Sequence, residues 1–225
     1  MFDKKDIKNN ILEIGQRLYK SGLTSGISGN ISYRCKAKIE PEEQNSVIRN
    51  GQIYITATST CLGEMNETEV VLLDEEGRIV ENNNIKPSSE SMMHVEIYKI
   101  RPEINAIIHA HPPFSTALAV SGEKNFPAIL AEPVVTFGSS IPVVEYETPS
   151  TIKLAKSVAK YFEKNDAVLM ANHGVTVCGR NLKETFYKLE TLEFYSRVYL
   201  YSGLLGKRSE LSEEKIQELL KFRHC

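Results

Sequence analysis

The chain has 225 residues, with 41% hydrophobic and 25% charged residues, a formal net charge of −2 and four cysteines that show no paired spacing. This length suffices for one hydrophobic core, so we expect a single domain over residues 1–225, and the charge gives no reason to expect a nucleic acid or an anionic membrane as partner. The start of the chain is polar and is not followed by the apolar segment of a signal peptide, and no apolar stretch is long enough for a membrane-spanning helix. Since unpaired cysteines are typical of reducing compartments, we predict a cytoplasmic protein.

Hydrophobic periodicity predicts alternating helices and strands along the chain. In the first half we expect a helix over 5–20, a glycine loop over 26–30, a strand over 31–34, a surface loop over 35–49, and strands over 53–56, 70–74 and 78–80. In the second half we expect helices over 89–100, 114–121, 150–162 and 212–222, a long helix between Asn181 and Gly203, and strands over 106–110, 141–144, 167–171 and 175–178. This mixed order favours a layered α/β architecture over a strictly alternating parallel fold.

Three of the five histidines occur where apolar segments end. His109 and His111 are two residues apart, so an extended strand would direct both imidazoles to the same side. His173 follows a second apolar run, 167–171. Three neutral imidazoles with an open position are the ligand set of a catalytic zinc ion, and the sequence therefore predicts a metal site. The alternative is that these histidines are hydrogen-bonded polar residues at strand ends.

The segment Lys86-Pro87-Ser88-Ser89-Glu90 predicts the start of a helix, because proline disfavours helix at the residue before it. Hydroxyls and free backbone N–H groups at a helix N-terminus favour an anion. Glu90 either balances the helix dipole or reaches the metal, since this helix leads into the strand that bears His109. His94, one turn later, is expected to pack in the core or to orient Glu90 rather than to bind metal.

Two more turns are rich in hydrogen-bond donors. The loop 26–30 contains two glycines, which allow a close approach of backbone N–H groups to a ligand, and the turn 56–60 contains four hydroxyl side chains directly after a strand. Together with the serines at 88 and 89, these turns suggest a phosphate held by amides and hydroxyls. Each turn alone is weak support, since most such loops are only turns.

Taken together, the segments 87–90, 109–112 (His-Ala-His-Pro) and 172–174 (Asn-His-Gly) resemble the class II aldolase/adducin family, and the likeness extends from Gly26 to near Leu205. The resemblance implies a three-layer α/β/α sandwich around a mostly antiparallel sheet. It also implies a homotetramer with active sites at subunit interfaces.

The resemblance further implies one zinc ion per subunit and a phosphorylated sugar as substrate. The implied zinc ligands are His109, His111, His173 and Glu90, and Glu90 would also be the general acid/base. The implied phosphate cradle consists of Gly29, Asn30, Thr58, Ser59, Ser88 and Ser89. The expected reaction is cleavage of a short ketose 1-phosphate, L-fuculose 1-phosphate or a close relative, to dihydroxyacetone phosphate and an aldehyde through a metal-stabilised enediolate.

The chain departs from the family pattern at the second proton donor. Aldolases of the family carry a tyrosine in the stretch that corresponds to 127–132, and this chain has none there. Glu132 is the candidate substitute, and it is equally well interpreted as a solvated loop carboxylate. Epimerase, dehydratase or decarboxylase activity on a related phosphorylated sugar remains an alternative, as does a non-catalytic interaction module like the adducin head.

Overall fold

The computed structural model describes residues 4–35, 51–80, 84–206 and 208–223 of the chain. The strands of this part are β1 (Asn30–Arg34), β2 (Ile53–Thr56), β3 (Val70–Leu73), β4 (Ala106–Ala110), β5 (Asn125–Pro127), β6 (Ser140–Val144), β7 (Ala167–Met170) and β8 (Gly174–Gly179). The α-helices of this part are α1 (Lys4–Lys20), α2 (Ser91–Ile100), α3 (Pro113–Ala119), α4 (Ala131–Phe137), α5 (Ile152–Phe162), α6 (Leu182–Leu204) and α7 (Glu213–Leu220). One 3-10 turn (Glu67–Glu69) precedes β3.

All eight strands form one sheet in the order β3-β2-β1-β4-β8-β7-β6-β5. Every neighbouring pair is antiparallel except β6 and β7, which are parallel. The predicted mostly antiparallel sheet is thereby confirmed. The strands β1, β4 and β8 lie side by side at the centre, where Asn30 pairs with His109 and Ala110 pairs with Val175. This register brings the end of β4 next to the start of β8.

Successive residues of the central strands enter two separate hydrophobic cores, because side chains alternate between the faces of a sheet. Ile108 lies in the core with apolar residues of α1 and α6, whereas its neighbour Ile107 lies in the core with those of α2 and α5. Helices therefore cover both faces of the sheet. Asn181 caps α6, with the Glu184 N–H donating to its side chain at 2.8 Å.

Three structural predictions need correction. Residues 78–80 do not form a strand, because Ile79 makes only an isolated bridge to Leu73. The helix predicted over 89–100 begins at Ser91, and its N-cap is Glu90. The strand β5 and the helix α4 were not predicted at all. Of the predicted surface loop, only Cys35 belongs to the described residues, and it is buried.

Two predictions based on composition can be compared with the described part of the chain. Its cysteines, Cys35, Cys61 and Cys178, are free thiols, as expected. Among the described helices, none combines the length and the apolar character needed to cross a membrane.

Candidate active site

The three histidines predicted as metal ligands lie together. His109 is in β4, His111 follows the end of that strand, and His173 lies in the turn between β7 and β8. Their ring centroids are 4.8 to 5.1 Å apart, and one ligand atom from each side chain lies within 4.8 Å of the others. The antiparallel pairing of β4 with β8 causes this convergence, because the end of β4, near His109 and His111, lies beside the start of β8, which follows His173.

The hydrogen bonds of the rings fit a metal ion. His109 Nδ1 donates to the Val175 carbonyl oxygen at 2.9 Å, which leaves Nε2 without a proton and 3.0 Å from His111 Nε2. Such a bond from the second ring nitrogen is typical of metal-binding histidines. His173 Nδ1 is buried and has no partner among the described residues. A cation between the rings would occupy bare nitrogens that otherwise face one another.

The electrostatics of the site keep all three imidazoles neutral. Burial lowers the pKa of His109 well below its usual value, and repulsion from His173 and His111 lowers it further. Burial followed by repulsion from His173 lowers the pKa of His111 to about 4, against an opposing effect of Glu90. Burial also lowers the pKa of His173. Metal binding needs deprotonated ligands, so these rings are ready to bind at neutral pH.

The turn that carries His173 requires two particular neighbours. Asn172 has a φ of 55°, a left-handed conformation that asparagine adopts more readily than most residues. A Cβ on Gly174 would lie 2.4 Å from His111 Cδ2 and 2.6 Å from the Ala110 carbonyl oxygen. Only glycine at position 174 therefore lets the start of β8 lie this close to Ala110 and His111.

Glu90 is buried at the N-cap of α2, close enough to His111 to raise the pKa of that ring but outside the group of converging ligand atoms. Its Oε1 accepts hydrogen bonds from the Ser150 N–H at 2.6 Å and from the Ser150 hydroxyl at 3.2 Å. In the part of the chain that the structure describes, Oε2 accepts no hydrogen bond. Glu90 thus presents one oxygen that is anchored and one that is available.

The glycine loop lies directly against the histidine strand. Gly29 has a φ of 83°, and a Cβ there would lie 2.8 Å from the His109 carbonyl oxygen. The adjacent Asn30 is buried and pairs with His109 in the sheet. Two predicted cradle residues are therefore next to a predicted metal ligand.

The other two predicted cradle segments are joined to each other by their backbones. The Thr58 N–H donates to the Lys86 carbonyl oxygen and the Ser88 N–H donates to the Thr56 carbonyl oxygen, each at 3.0 Å. These bonds occupy the two amides, so Thr58 and Ser88 have only hydroxyls to offer an anion. The Thr58, Ser59 and Ser89 side chains are exposed, whereas Ser88 is buried and its Oγ accepts from the Glu90 N–H at 3.2 Å.

With this geometry described, the chain can be compared with known proteins. The family model of the class II aldolase and adducin N-terminal domain matches residues 9–200. The chain belongs to this family.

Several relatives of this class II aldolase chain are similar over nearly their whole length. It is 31% identical to the 5-deoxy-D-ribulose 1-phosphate aldolase of Bacillus thuringiensis, with 95% of this chain and 93% of the relative covered. It is 32% identical to the L-fuculose phosphate aldolase of Haemophilus influenzae, with 97% and 94% covered. A solved structure of L-fuculose 1-phosphate aldolase superimposes with a TM-score of 0.85 at 31% identity, covering 96% and 95% of the two chains.

One relative differs in its named reaction. The 3-oxo-tetronate 4-phosphate decarboxylase of Escherichia coli is 26% identical, with 89% of each chain covered. Relatives of similar identity therefore carry names of different reactions on phosphorylated sugars or sugar acids. Membership of the class II aldolase family by itself does not decide the substrate.

Glu132 is exposed on α4 rather than in a loop, and it lies apart from the histidines of the same chain. It lines a surface cavity with Arg180 and Asn181, which follow the end of β8. His173 precedes the start of that strand. Six strand residues span roughly 20 Å, so Glu132 and the histidines occupy opposite ends of the sheet.

Sequence reasoning missed one residue of this class II aldolase site and the structural roles of two others. Ser150 anchors Glu90 from 60 positions further along the chain, and no local pattern signals that contact. Gly174 was recognised as part of a motif, but its steric role was not. His94 is buried in the core, one of its two expected roles, but its bonds to Asn30 and Ser32 were not predicted.

Proposed function

We propose that this protein is a metal-dependent aldolase that cleaves a short ketose 1-phosphate, L-fuculose 1-phosphate or a close relative, to dihydroxyacetone phosphate and an aldehyde. The observation that carries the proposal is the convergence of three neutral imidazoles beside a buried carboxylate, with Asn30 paired to one of the histidines. Relatives named as aldolases of 5-deoxyribulose and fuculose phosphates, similar over almost the whole chain, support it.

In this proposal His109, His111 and His173 hold the metal ion, and Glu90 adds a fourth ligand until substrate displaces it. We propose zinc, because imidazole nitrogens and carboxylate oxygens in a site with an open position suit that ion. When bound, the ion supplies a Lewis acid for the carbonyl and hydroxyl oxygens of the ketose. No Schiff-base lysine is then required.

Glu90 is the proposed general acid/base. Cleavage of the C3–C4 bond leaves a carbanion at C3 of dihydroxyacetone phosphate, and protonated Glu90 would donate its proton to that carbon. In the condensation direction the Glu90 carboxylate would remove the same proton. The anchoring of Oε1 on Ser150 leaves Oε2 for both the metal and the proton.

The phosphate would lie where the three donor-rich turns meet. Gly29 and Asn30 would hold it from the histidine side, and Thr58, Ser59, Ser88 and Ser89 from the side of α2. Since the amides of Thr58 and Ser88 bond to other backbone groups, these two residues would contribute their hydroxyls. No arginine belongs to this proposed cradle.

We further propose a homotetramer of single-domain subunits, each a three-layer α/β/α sandwich, acting in the cytoplasm. In such a tetramer the active sites would lie between subunits. Because Glu132 is at the far end of the sheet from the histidines of its own chain, it would act on the aldehyde oxygen only when contributed by a neighbouring copy. The family resemblance is the ground for the tetramer itself.

The test is exchange of the C3 proton of dihydroxyacetone phosphate in deuterium oxide, followed by proton NMR. This half-reaction needs the metal, the cradle and Glu90 but no aldehyde, so it does not depend on knowing the sugar. Wild-type protein loaded with zinc is expected to catalyse the exchange. Glu90→Gln should retain bound zinc and lower the rate by about 10²- to 10⁴-fold, as expected for loss of a general base.

Two variants serve as controls for the exchange experiment. His109→Ala should lose zinc and exchange together, whereas Glu132→Gln should keep the exchange rate, because Glu132 is assigned to the aldehyde half of the reaction. Full exchange by Glu90→Gln would contradict the role of Glu90. No exchange by zinc-loaded wild type would contradict the aldolase.

Decarboxylation of a 3-oxo acid phosphate is the second candidate function. The Escherichia coli relative named as such a decarboxylase and the absence of a tyrosine from residues 127–132 favour it. Such a reaction would use the same metal and phosphate contacts. Release of carbon dioxide from 3-oxo-tetronate 4-phosphate distinguishes it from aldol cleavage.

A further inference from the structure

A buried chain of hydrogen bonds leads from α2 to the predicted phosphate cradle. His94 is fully buried, with Nδ1 2.7 Å from Ser32 Oγ and Nε2 2.6 Å from Asn30 Oδ1. Ser32 Oγ is also 2.9 Å from the hydroxyl of Tyr98, which donates to the Asn105 carbonyl oxygen at 3.2 Å. Three side chains, those of Tyr98, Ser32 and His94, thus connect the interior of the protein to Asn30.

The hydrogen atoms of this hydrogen-bond network can be placed in only one way when the side-chain carbonyl oxygen of Asn30 faces His94. His94 Nε2 must then donate to Asn30 Oδ1, and a neutral ring has no proton left for Nδ1. The Ser32 hydroxyl must donate to Nδ1, so the Tyr98 hydroxyl proton is shared between Ser32 Oγ and the Asn105 carbonyl oxygen. Burial lowers the pKa of His94 to about 3, and the neutral ring is the form present at pH 7.

Because Oδ1 of the Asn30 carboxamide faces His94, the NH₂ group (Nδ2) is the part of the side chain left to bind a ligand. Among the described residues Nδ2 has no hydrogen-bond partner, although Asn30 is only 4% exposed. The Nδ2 atom itself is not enclosed by protein, so water or a ligand can accept a hydrogen bond from it. A donor at this place suits an oxyanion, whereas the carbonyl oxygen of a rotated amide would repel it.

We propose that His94 is a positioning residue, whose Nε2–H group fixes the Asn30 carboxamide so that its NH₂ group donates to an oxygen of the bound sugar phosphate. The inference rests on the proposed function, because it needs an anionic ligand beside Asn30. His94 contacts neither the metal ligands by hydrogen bond nor the substrate. It acts through Asn30 alone.

The first test reads the His94 ring directly in wild-type, metal-loaded protein. Two-bond proton–nitrogen NMR of ¹⁵N-histidine-labelled protein distinguishes a protonated from a bare ring nitrogen, and His94→Gln assigns the signal. The expected result is a neutral ring protonated at Nε2 at pH 7. Protonation at Nδ1 would overturn the proposal, since the carbonyl oxygen of Asn30 would then face the ligand.

The second test is calorimetric titration of metal-loaded variants with inorganic phosphate. His94→Leu should raise the Kd about tenfold, the effect of about one misplaced hydrogen bond. His94→Gln should stay within about threefold of wild type, because the glutamine amide reaches the place of Nε2 and restores a donor. His94→Asn, whose amide is too short to reach it, replaces the leucine variant if that does not fold.

The decisive comparison is a double-mutant cycle with Asn30→Ala. If His94 acts through Asn30, His94→Leu should add nothing to the weakening of phosphate binding that Asn30→Ala causes alone. Independent, multiplying effects on Kd would overturn the proposal and leave His94 a structural residue. Failure of wild type to bind phosphate would count against the proposed cradle, while the NMR result would still decide the orientation of Asn30.

Discussion

At the scale of single residues, the metal site depends on the missing side chain of Gly174. We expect Gly174→Ala to lower metal affinity by about 10-fold or more, because its Cβ would push the His111 ring and the Ala110 carbonyl oxygen out of place. Isothermal titration with zinc checks this expectation.

Gly122→Ala is the matched control for that substitution. Gly122 has a φ of 84°, and a Cβ there meets no atom within 4 Å. Its replacement should lower the free energy of unfolding by about 1 kcal/mol through backbone strain and leave zinc affinity unchanged. Equal zinc affinities for the two variants would contradict the steric role of Gly174.

The residues of the site were predictable to different degrees. His109 and His111 follow from strand periodicity, which directs residues two apart to the same side. Ser150 does not, because its contact with Glu90 is formed by the fold rather than by a local pattern. Of the two roles expected of His94, core packing is confirmed, and orientation of Glu90 is not, because Glu90 is the N-cap of α2 and its side chain lies before the first helical turn.

At the scale of elements, Asp166 joins three parts of the fold at the end of the sheet away from the histidines. Asp166 immediately precedes β7. Its carboxylate accepts hydrogen bonds from Arg101, which follows α2, at 2.9 Å and from Lys188 of α6 at 3.0 Å. Both cations lower the pKa of Asp166 despite its burial. We expect Asp166→Asn to lower the free energy of unfolding by about 2 kcal/mol, since it removes the carboxylate that the two cations share and leaves Arg101 with Glu103 and Lys188 with Glu184.

Urea denaturation measures that loss, and Glu76→Gln is its control. Glu76 pairs with Arg78 on the surface, and such exposed pairs contribute about 0 to 1 kcal/mol. Zinc binding should be unchanged in both variants, because Asp166 is far from the histidines. Equal stability of the two variants would show that the Asp166 network does not fasten these elements.

The elements with long, regular periodicity were predictable from the sequence, and the short ones were not. The helices α1, α5 and α6 end within about two residues of the predicted bounds, a normal uncertainty for helix ends. In contrast, α4 has only seven residues and contains Pro133 in its first turn, where proline is tolerated. Its stability comes from packing of Val134 with Ile216 of α7, which no local pattern reveals.

At the scale of the whole molecule, buried neutral histidines make stability depend on pH. His94 has its pKa lowered to about 3, whereas the unfolded chain takes up that proton near pH 6.5. The unfolded state therefore binds more protons below pH 6.5, and this contribution to stability is complete above 6.5 and is lost as the pH falls towards 3. The expected slope is about 1.4 kcal/mol per pH unit for this one group.

Urea denaturation of metal-free protein between pH 7 and pH 5 tests that slope. His109, His111 and His173 contribute in the same direction, because their pKa values are also lowered. His94→Leu should reduce the slope of the free energy of unfolding against pH by the contribution of about one proton. An unchanged slope in this variant would contradict the assignment of a buried, neutral His94.

The arrangement of the whole sheet was the part least accessible to local reasoning. Periodicity predicted most strands but not their order, and the mostly antiparallel sheet was implied only by the family resemblance. The order β1-β4-β8 is essential for the proposed function, because it places three histidines that are distant in the sequence at the same end of the sheet. Contacts between copies of the chain, which would bring Glu132 to the site, remain a prediction.

The most direct test of the proposed activity is product analysis of the metal-loaded protein with a panel of phosphorylated sugars. The panel contains fuculose, rhamnulose, ribulose and 5-deoxyribulose 1-phosphates and ribulose 5-phosphate, each with a chelator-treated control. We expect dihydroxyacetone phosphate to be released from at least one ketose 1-phosphate, and only when the metal is present. An epimerised, dehydrated or decarboxylated product without dihydroxyacetone phosphate would contradict the aldolase and assign this site another reaction.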